Sequence, residues 1–346
     1  MRHVLELAAR CRLEAPAGGP LDDAGWWQLA TLAVEQRCAP LVLRSVDARA
    51  PEAAVAKLRT ETVDAVALAE VRFGTLRGAL SALGSIDAVV LKGAAYAGPL
   101  YGEPHLRPMT DVDLLVEPAA AREAVHRLER AGFRPAKGAR GGIYEDPGYH
   151  ERCLTDGRVV VEVHRGFAQG ARARFDVPAL LARRVPAPDL GPNAHRLAWD
   201  DALVYHCFHQ ALHEYAHPFV SYVDLREMLR RGFADVGRAR VLAERQRVAR
   251  PLGVSLRLAA RFWPELRRHA DAAPPLSPVT RAALARFVER PGARLAAPSS
   301  RAEQLWRKAW LIDSPARALR FAAWQAGSHA RAFARSLGAP LAGGWA

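Results

Sequence analysis

The chain has 346 residues, of which half are hydrophobic and a quarter are charged. A chain of this length and composition forms a substantial core, which excludes intrinsic disorder and allows two domains or one core with helical additions. The net charge of +13 comes almost wholly from arginine, and it favours an anionic partner such as a nucleotide, a nucleic acid or a membrane surface.

Four cysteines are widely separated in the sequence: Cys11, Cys38, Cys153 and Cys207. Because their spacing matches no zinc motif and no disulfide framework, we expect free thiols in a reducing compartment. The apolar stretch near the N-terminus, residues 4–9, is interrupted by Glu6, so no signal peptide is predicted. No apolar run reaches the length of a transmembrane segment. These features together predict a soluble, cytoplasmic protein.

Residues 1–84 are predicted to form helices that buttress the rest of the fold. Asp22 and Asp23 are suitable N-terminal caps for one of these helices. After Pro51, apolar residues recur at helical spacing as far as Gly84, which is typical of a helix C-terminal cap.

Residues 85–170 alternate apolar runs, short helical patterns and turn signals, which predicts an α/β core. The run at 86–91 predicts a strand, and the helix expected over 93–100 has free amide groups that can receive a phosphate. Period-two alternation predicts a further strand over Asp111–Val116. Asp156-Gly157 predicts a hairpin turn that brings one more strand to the sheet.

Three carboxylates fall on two of these predicted strands. Asp111 and Asp113 are two residues apart, so their side chains leave the same face of the strand. Carboxylates this close repel each other unless a cation lies between them. Glu162 stands alone in a run of valines and is costly to bury unless a metal or another cation satisfies it. If the strands are neighbours, the three acids form a site suited to Mg²⁺ and to two-metal phosphoryl transfer.

Two cations precede the acidic strand. Lys92 follows the first strand and is one of the few lysines in the chain: Lys57, Lys92, Lys137 and Lys308. It either flanks a strand end or contacts phosphate or the carboxylates. Arg107 is either a structural partner of Asp111 or Asp113, or a guanidinium fork on a triphosphate.

The order of these residues resembles the polymerase-β-like nucleotidyltransferase superfamily, in which a glycine-bearing turn precedes an Asp-x-Asp strand and a third acid completes the metal site. The sequence is more closely similar to a little-characterised bacterial branch of nucleotidyltransferases, through these motifs: Leu91-Lys92-Gly93, Arg107, Asp111–Val116 and Glu162-Val163-His164. Two features depart from that pattern. Lys92 stands where the superfamily has a glycine, and Glu162 stands where the branch more often has Asp.

The resemblance implies an α+β fold in which a small mixed sheet is flanked by N-terminal and C-terminal helical regions. It implies Mg²⁺ or Mn²⁺ held by Asp111, Asp113 and Glu162, the last also a candidate to take the acceptor's proton. The implied reaction moves a nucleoside monophosphate group from a nucleoside triphosphate to a hydroxyl or phosphate acceptor, with release of pyrophosphate.

The resemblance also places Lys92, Gly93 and Arg107 at the nucleotide or its phosphates. It leaves the acceptor open between a small molecule, a peptide and a protein. The sequence contains no specific nucleic-acid-binding motif. The alternative function is a non-catalytic nucleotide- or partner-binding module on the same fold.

The remaining segments are interpreted from composition and capping signals. Residues 134–149, rich in glycine, are expected to form a surface loop. A proline-punctuated connector at 166–195 is expected to lead into a helical domain that completes residues 171–346. Its last helix is predicted over 314–338.

The first C-terminal helix, predicted over 202–215, carries a row of histidines. His206, His209, His213 and His217 fall within about 80° of one another around a helix axis. Two interpretations are open. Such a row is able to bind a transition metal, as in a metal-dependent hydrolase, or it forms the polar wall of a cleft.

We favour the cleft wall, because a triphosphate beside three carboxylates needs surrounding cations. We therefore predict that this helix lies over the sheet and that His206, His209 or His213 approaches the nucleotide or the acceptor. His164 shares a face with Glu162 and is expected either to support the acids or to be a polar strand end.

Overall fold

The computed structural model of the protein describes residues 2–14, 18–136, 150–167, 173–191, 193–289, 312–314, 316–321, 323 and 327. Most of the surface loop predicted at 134–149, and most of the final helix predicted over 314–338, lie outside these residues.

Before the first strand, the described residues form four helices: α1 (Arg2–Arg10), α2 (Asp23–Glu35), α3 (Ala39–Leu43) and α4 (Glu52–Leu83). Asp22 caps α2, because its carboxylate accepts a hydrogen bond of 2.8 Å from the Gly25 amide and so satisfies one of the free N–H groups of the first turn. Pro51 precedes α4, and Gly84, at a φ of 58°, ends it. The predicted helical N-terminal region is confirmed.

A seven-stranded mixed sheet is the centre of the described fold. Its strands are β1 (Ala88–Leu91), β2 (Asp111–Val116), β3 (Arg134–Pro135), β4 (Glu151–Thr155), β5 (Val160–His164), β6 (Val185–Pro186) and β7 (Ala194–Arg196). Their order across the sheet is β3-β4-β5-β2-β1-β7-β6. The strand with both aspartates, β2, runs antiparallel to β1 and parallel to β5.

The segments after β1 and β2 are mainly helical: α5 (Lys92–Tyr96), a π-helical turn at Ala97–Tyr101, a 3₁₀ turn at Pro104–Leu106, a second 3₁₀ turn at Pro118–Ala120, and α6 (Ala121–Arg130). The helix expected from residue 93 therefore starts at Lys92 and changes its winding after one turn. Two short strands, β6 at the edge of the sheet and β7 beside it, lie almost wholly in the segment predicted as a connector. Strands of two and three residues are too short to show alternation in the sequence.

The C-terminal region is helical in its described part: α7 (Val177–Ala182), α8 (Trp199–Leu212), α9 (Val220–Arg230), α10 (Val236–Arg245), α11 (Ala249–Phe262), α12 (Arg267–Ala272) and α13 (Pro278–Glu289). Helix α8 packs against α9, α10 and α11. It ends three residues before the predicted Tyr215, because Glu214 and Tyr215 have left-handed backbone angles, at φ values of 59° and 58°.

One continuous apolar core joins the three regions. It contains Leu58 of α4, Leu114 of β2 and Val223 of α9, each fully buried, and each such side chain stabilises the fold by about 1.5–3 kcal/mol. The α+β class and the flanking helices are confirmed, whereas the division of the chain at residues 84 and 170 stays a prediction. Within the described residues, no helix combines the length and the apolar character needed to cross a bilayer.

Candidate active site

The acids of β2 and β5 lie side by side in the sheet. Asp113 is paired with Glu162 in the parallel register of the two strands, so their side chains leave the same face. Asp111 lies on that face two residues earlier. Asp113 is buried, and Asp111 and Glu162 are half-buried. The expectation that the two acidic strands are neighbours is confirmed.

His164 supplies a positive charge within this group. Its Nε2 lies 3.0 Å from Oδ1 of Asp113 and 3.5 Å from Oε2 of Glu162. Burial alone would lower the pKa of His164, but the hydrogen bonds to both carboxylates raise it to about 10. The ring is therefore an imidazolium at neutral pH, and it holds the two acids together against their mutual repulsion.

Lys92 supplies a second positive charge. Its Nζ lies 2.9 Å from Oδ1 of Asp113 and 3.0 Å from Nε2 of His209. Burial opposes its charged form, but the carboxylate of Asp113 outweighs that effect and raises the pKa of Lys92 well above its ordinary value. Of the two interpretations of Lys92, the structure supports contact with the carboxylates.

The backbone at Lys92 adopts a conformation that favours glycine. Lys92 has a φ of 45°, a left-handed conformation that costs a non-glycine residue about 1–2 kcal/mol. The following Gly93 is required for packing, because a Cβ at that position would lie 3.0 Å from Cβ of Met109. The turn is therefore strained at Lys92, and the lysine brings an ammonium group to Asp113 that a glycine would lack.

Arg107 contacts neither aspartate of β2. Its Nε and Nη2 donate hydrogen bonds to the carboxylate of Asp224 on α9, at 2.7 Å and 2.6 Å, and its Nη1 donates to the carbonyl of Pro108. The hydroxyl of Tyr101 donates to the same Asp224 at 2.7 Å. The predicted pairing of Arg107 with Asp111 or Asp113 is wrong. The guanidinium group of Arg107, which we predicted to bind a triphosphate, is hydrogen-bonded to Asp224.

His206 is also directed away from the site. It is 2% exposed, and its Nε2 lies 2.8 Å from the carbonyl oxygen of Ser221. Burial lowers the pKa of His206, so the neutral ring fits this apolar position as a hydrogen-bond donor. The prediction that His206 lines the cleft is wrong, because that position of α8 faces α9 and not the sheet.

The other three histidines of the predicted row come together beside Lys92. The ring centroids of His209, His213 and His217 lie 4.3–4.7 Å apart. Burial, assisted by the charge of Lys92, lowers the pKa of His209 well below its ordinary value, so this ring is neutral. Helix α8 therefore adjoins the carboxylate site, while contact of His209 or His213 with a nucleotide or an acceptor stays a prediction.

Strand β4 adds residues that the sequence analysis missed. Glu151 is paired with His164, and Cys153 with Glu162, in the antiparallel register of β4 and β5. Oε2 of Glu151 lies 3.5 Å from Nδ1 of His164, and Sγ of Cys153 lies 3.7 Å from Oε1 of Glu162. Burial raises the pKa of Glu151. These residues could have been placed from the sequence, because the Asp156-Gly157 turn fixes the register of β4 against β5.

Two arginines of the N-terminal region face Asp111. Nη1 of Arg37 lies 3.5 Å from Oγ1 of Thr110, which donates to Oδ1 of Asp111 at 3.2 Å. Burial lowers the pKa of Arg37 and of Arg72, and the negative charge of Asp111 opposes this in both. No local pattern marks these arginines, since they reach the site only through packing of α2 and α4.

The donor set fits a hard divalent cation. Carboxylate oxygens are the ligands preferred by Mg²⁺ and Mn²⁺, and one oxygen of Asp113 lies within 4.8 Å of one oxygen of Glu162. Asp111 is outside this close group but shares its face of the sheet. The buried carboxylate of Asp113 requires a positive charge beside it, and in this structure Lys92 supplies one.

Acids on neighbouring strands, next to a strand–helix turn and cationic side chains, form a group of the kind that is able to hold a metal ion. A family described as "uncharacterised nucleotidyltransferase" matches residues 22–264, a span that begins just before α2 and ends just after α11. The chain belongs to this family, which confirms the resemblance seen in the sequence. Comparison with curated proteins finds no match.

Proposed function

We propose that the protein transfers a nucleoside monophosphate group from a nucleoside triphosphate to a hydroxyl or phosphate acceptor, in a reaction that depends on Mg²⁺ or Mn²⁺. The observation that carries the proposal is the pairing of Asp113 with Glu162 on neighbouring strands, beside Lys92 and His164. Membership of the nucleotidyltransferase family supports the same reaction class.

Asp111, Asp113 and Glu162 are the residues that would hold the metal. When bound, the ion would stabilise the negative charge that develops on the transferred phosphoryl group. His164 positions Asp113 and Glu162 through its hydrogen bonds to both. Lys92 positions the carboxylate of Asp113 through a contact of 2.9 Å between Nζ and Oδ1.

Glu162 is the candidate general base. Burial would raise the pKa of Glu162, but its hydrogen bond to His164 and the charge of that ring hold it below the ordinary range, so the carboxylate is ionised and able to accept a proton. The acceptor oxygen forms a bond to the α-phosphorus, and the bond from that phosphorus to the pyrophosphate oxygen breaks. The proton of an acceptor hydroxyl passes to Glu162.

Arg37 and Arg72 are the candidate triphosphate ligands in place of Arg107. Both are half-buried, and burial of a cation without a full counter-charge is costly. Asp111 offers one negative charge near both, so a phosphate would complete their neutralisation.

The test is transfer of label from each α-labelled nucleoside triphosphate, with Mg²⁺, to components of a host extract. Asp113→Asn and Glu162→Gln should abolish labelling while circular dichroism stays unchanged. Asp64→Asn is the matched control, because Asp64 is exposed on α4. Labelling that persists in Asp113→Asn would contradict the proposal.

One observation favours a second function, a non-catalytic nucleotide-binding module. The charge of Asp113 is already compensated by Lys92 and His164, which lessens its need for a metal. This alternative predicts nucleotide binding that survives chelation of divalent ions, without release of pyrophosphate for any acceptor.

A further inference from the structure

A strained turn at the end of α8 brings three histidines together. Helix α8 ends at Leu212, and Glu214 and Tyr215 then both adopt left-handed backbone angles. Neither is a glycine, so each costs about 1–2 kcal/mol in this conformation. The turn returns the chain so that the ring of His217 lies 4.6 Å from that of His209 and 4.3 Å from that of His213. Strain retained in this way marks functional positions more often than random ones.

The spacing of the ring nitrogens suits a small cation. One ring nitrogen from each of His209, His213 and His217 lies within 4.8 Å of the others. Tetrahedral Zn²⁺ with ligands at ~2.0–2.1 Å requires nitrogens roughly 3.4 Å apart. Small side-chain rotations would close that difference, and the side chain of His213 is exposed.

His217 has a buried ring nitrogen that is available to a ligand. Its Nε2 is buried and has no hydrogen-bond partner among the described residues. A buried polar atom without a partner costs about 1–3 kcal/mol, and a bound metal ion would provide the partner.

We propose that His209, His213 and His217 form a three-imidazole site for a divalent transition-metal ion, with Zn²⁺ as the first candidate. Neutral nitrogen ligands select Zn²⁺ and related ions over Mg²⁺, which prefers oxygen. Three protein ligands leave a fourth position for water or a substrate oxygen.

This site is separate from the carboxylate site but connected to it through Lys92. Nε2 of His209 lies 3.0 Å from Nζ of Lys92. A metal bound by His209 therefore contacts its Nδ1, or it contacts Nε2 and displaces Lys92. In the second case Lys92 keeps its other partner, Asp113. In either case the metal ligands are the three histidines and not the acids of β2 and β5.

The experiment measures metal binding alone, so its result is independent of nucleotidyl transfer. Protein stripped with a chelator is titrated with Co²⁺ in excess Mg²⁺, and the visible absorption of tetrahedral Co²⁺ is recorded before displacement by Zn²⁺. The wild-type protein should bind one equivalent. Asp113→Asn, which disrupts the carboxylate site, should bind equally well, as should the control His126→Ala, which removes an exposed histidine on α6.

His213→Ala and His217→Ala should each weaken binding by more than the roughly 10–100-fold that loss of an outer-shell partner costs. Because His213 is exposed, its replacement preserves the fold, so this variant decides the question if His217→Ala unfolds. Wild-type protein that shows no tetrahedral Co²⁺ spectrum, or binding that persists in His213→Ala, would overturn the proposal.

Discussion

Among the buried networks of charged side chains in the described part of the chain, two near the sheet differ in charge balance and in access. In the first, Arg107 on the β2 side pairs with Asp224 of α9, and these side chains belong to residues that are 8% and 0% exposed. Tyr101 completes the network by donating to Asp224. One positive and one negative charge cancel, and no further group is needed.

The second network is the carboxylate site. Among the described residues, Lys92 and His164 lie within ion-pair distance of the acids of this site, whereas Arg37 and Arg72 act on Asp111 from further away. The side chain of Glu162 is also 21% exposed, so this network is accessible from solvent. At ion-pair distance negative charge is in excess, which leaves room for a cation from solution.

The comparison shows that burial alone does not identify a functional group of charges. Both networks join the sheet to other elements, and both contain an acid that is almost fully buried. The two networks differ in charge balance and in access to solvent. The Arg107–Asp224 pair stabilises the contact between the β2 region and α9, whereas the carboxylate site is able to bind a cation. The predictions below test that distinction.

Removal of Asp224 should have the largest effect on stability. Asp224→Ala leaves the charge of Arg107 buried without a partner, which should lower the free energy of unfolding by about 3–5 kcal/mol. The control is Asp189→Ala, since Asp189 also pairs with an arginine at 2.6 Å but is 42% exposed, and such surface pairs contribute about 0–1 kcal/mol. Urea denaturation measures both, and equal losses would contradict the distinction.

The double variant Arg107→Met/Asp224→Leu sharpens this result. Replacement of both partners by apolar side chains removes the unpaired charge, so it should recover most of the stability lost in Asp224→Ala. Failure to recover would show that the pair has a further role.

The carboxylate site should make stability depend on pH through His164. The pKa of His164 is raised from an ordinary value of 6.5 to about 10, so its contribution is complete below about pH 6.5 and is lost as pH rises to about 10. The free energy of unfolding of the wild-type protein should therefore fall over this range by more than that of His164→Gln. If the free energy of unfolding changes with pH in the same way in both proteins, His164 is not a charged imidazolium in the folded state.

Loss of Arg37 or Arg72 should weaken nucleotide binding. Arg37→Gln and Arg72→Gln should each raise the KM for the triphosphate about tenfold, because a hydrogen bond to a charged group contributes about 1.5–3 kcal/mol. Arg59→Gln is the control, as Arg59 is an exposed arginine on the same helix as Arg72. An unchanged KM in both site variants would exclude these arginines as triphosphate ligands.

The backbone at Lys92 gives the smallest expected effect. Lys92→Gly and Lys92→Ala both remove the ammonium group, so the difference between them reports the strained φ of 45°. The glycine variant should be more stable by about 1 kcal/mol in thermal denaturation. An alanine variant of equal or greater stability would show that the conformation is relaxed in solution.

Strands β1 and β2, the β4–β5 hairpin and the Asp-x-Asp pair could be predicted because alternation and turn chemistry are local in the sequence. The partner of Arg107 could not, since Asp224 is 117 positions away and no local pattern connects them. The same holds for the contact of Lys92 with His209. The positions of the predicted histidines depend on the left-handed turn at Glu214. The sequence does not indicate this turn, because it contains no glycine.

The most direct test of the central claim is release of pyrophosphate from each nucleoside triphosphate, measured against Mg²⁺ concentration in the presence of host extract. We predict release by the wild-type protein that rises with Mg²⁺, disappears on chelation, and falls by at least about 10²–10³-fold in Asp113→Asn. The Asp189→Ala control should match the wild type. Nucleotide binding that is independent of Mg²⁺, with no pyrophosphate released, would contradict the account and favour a binding module.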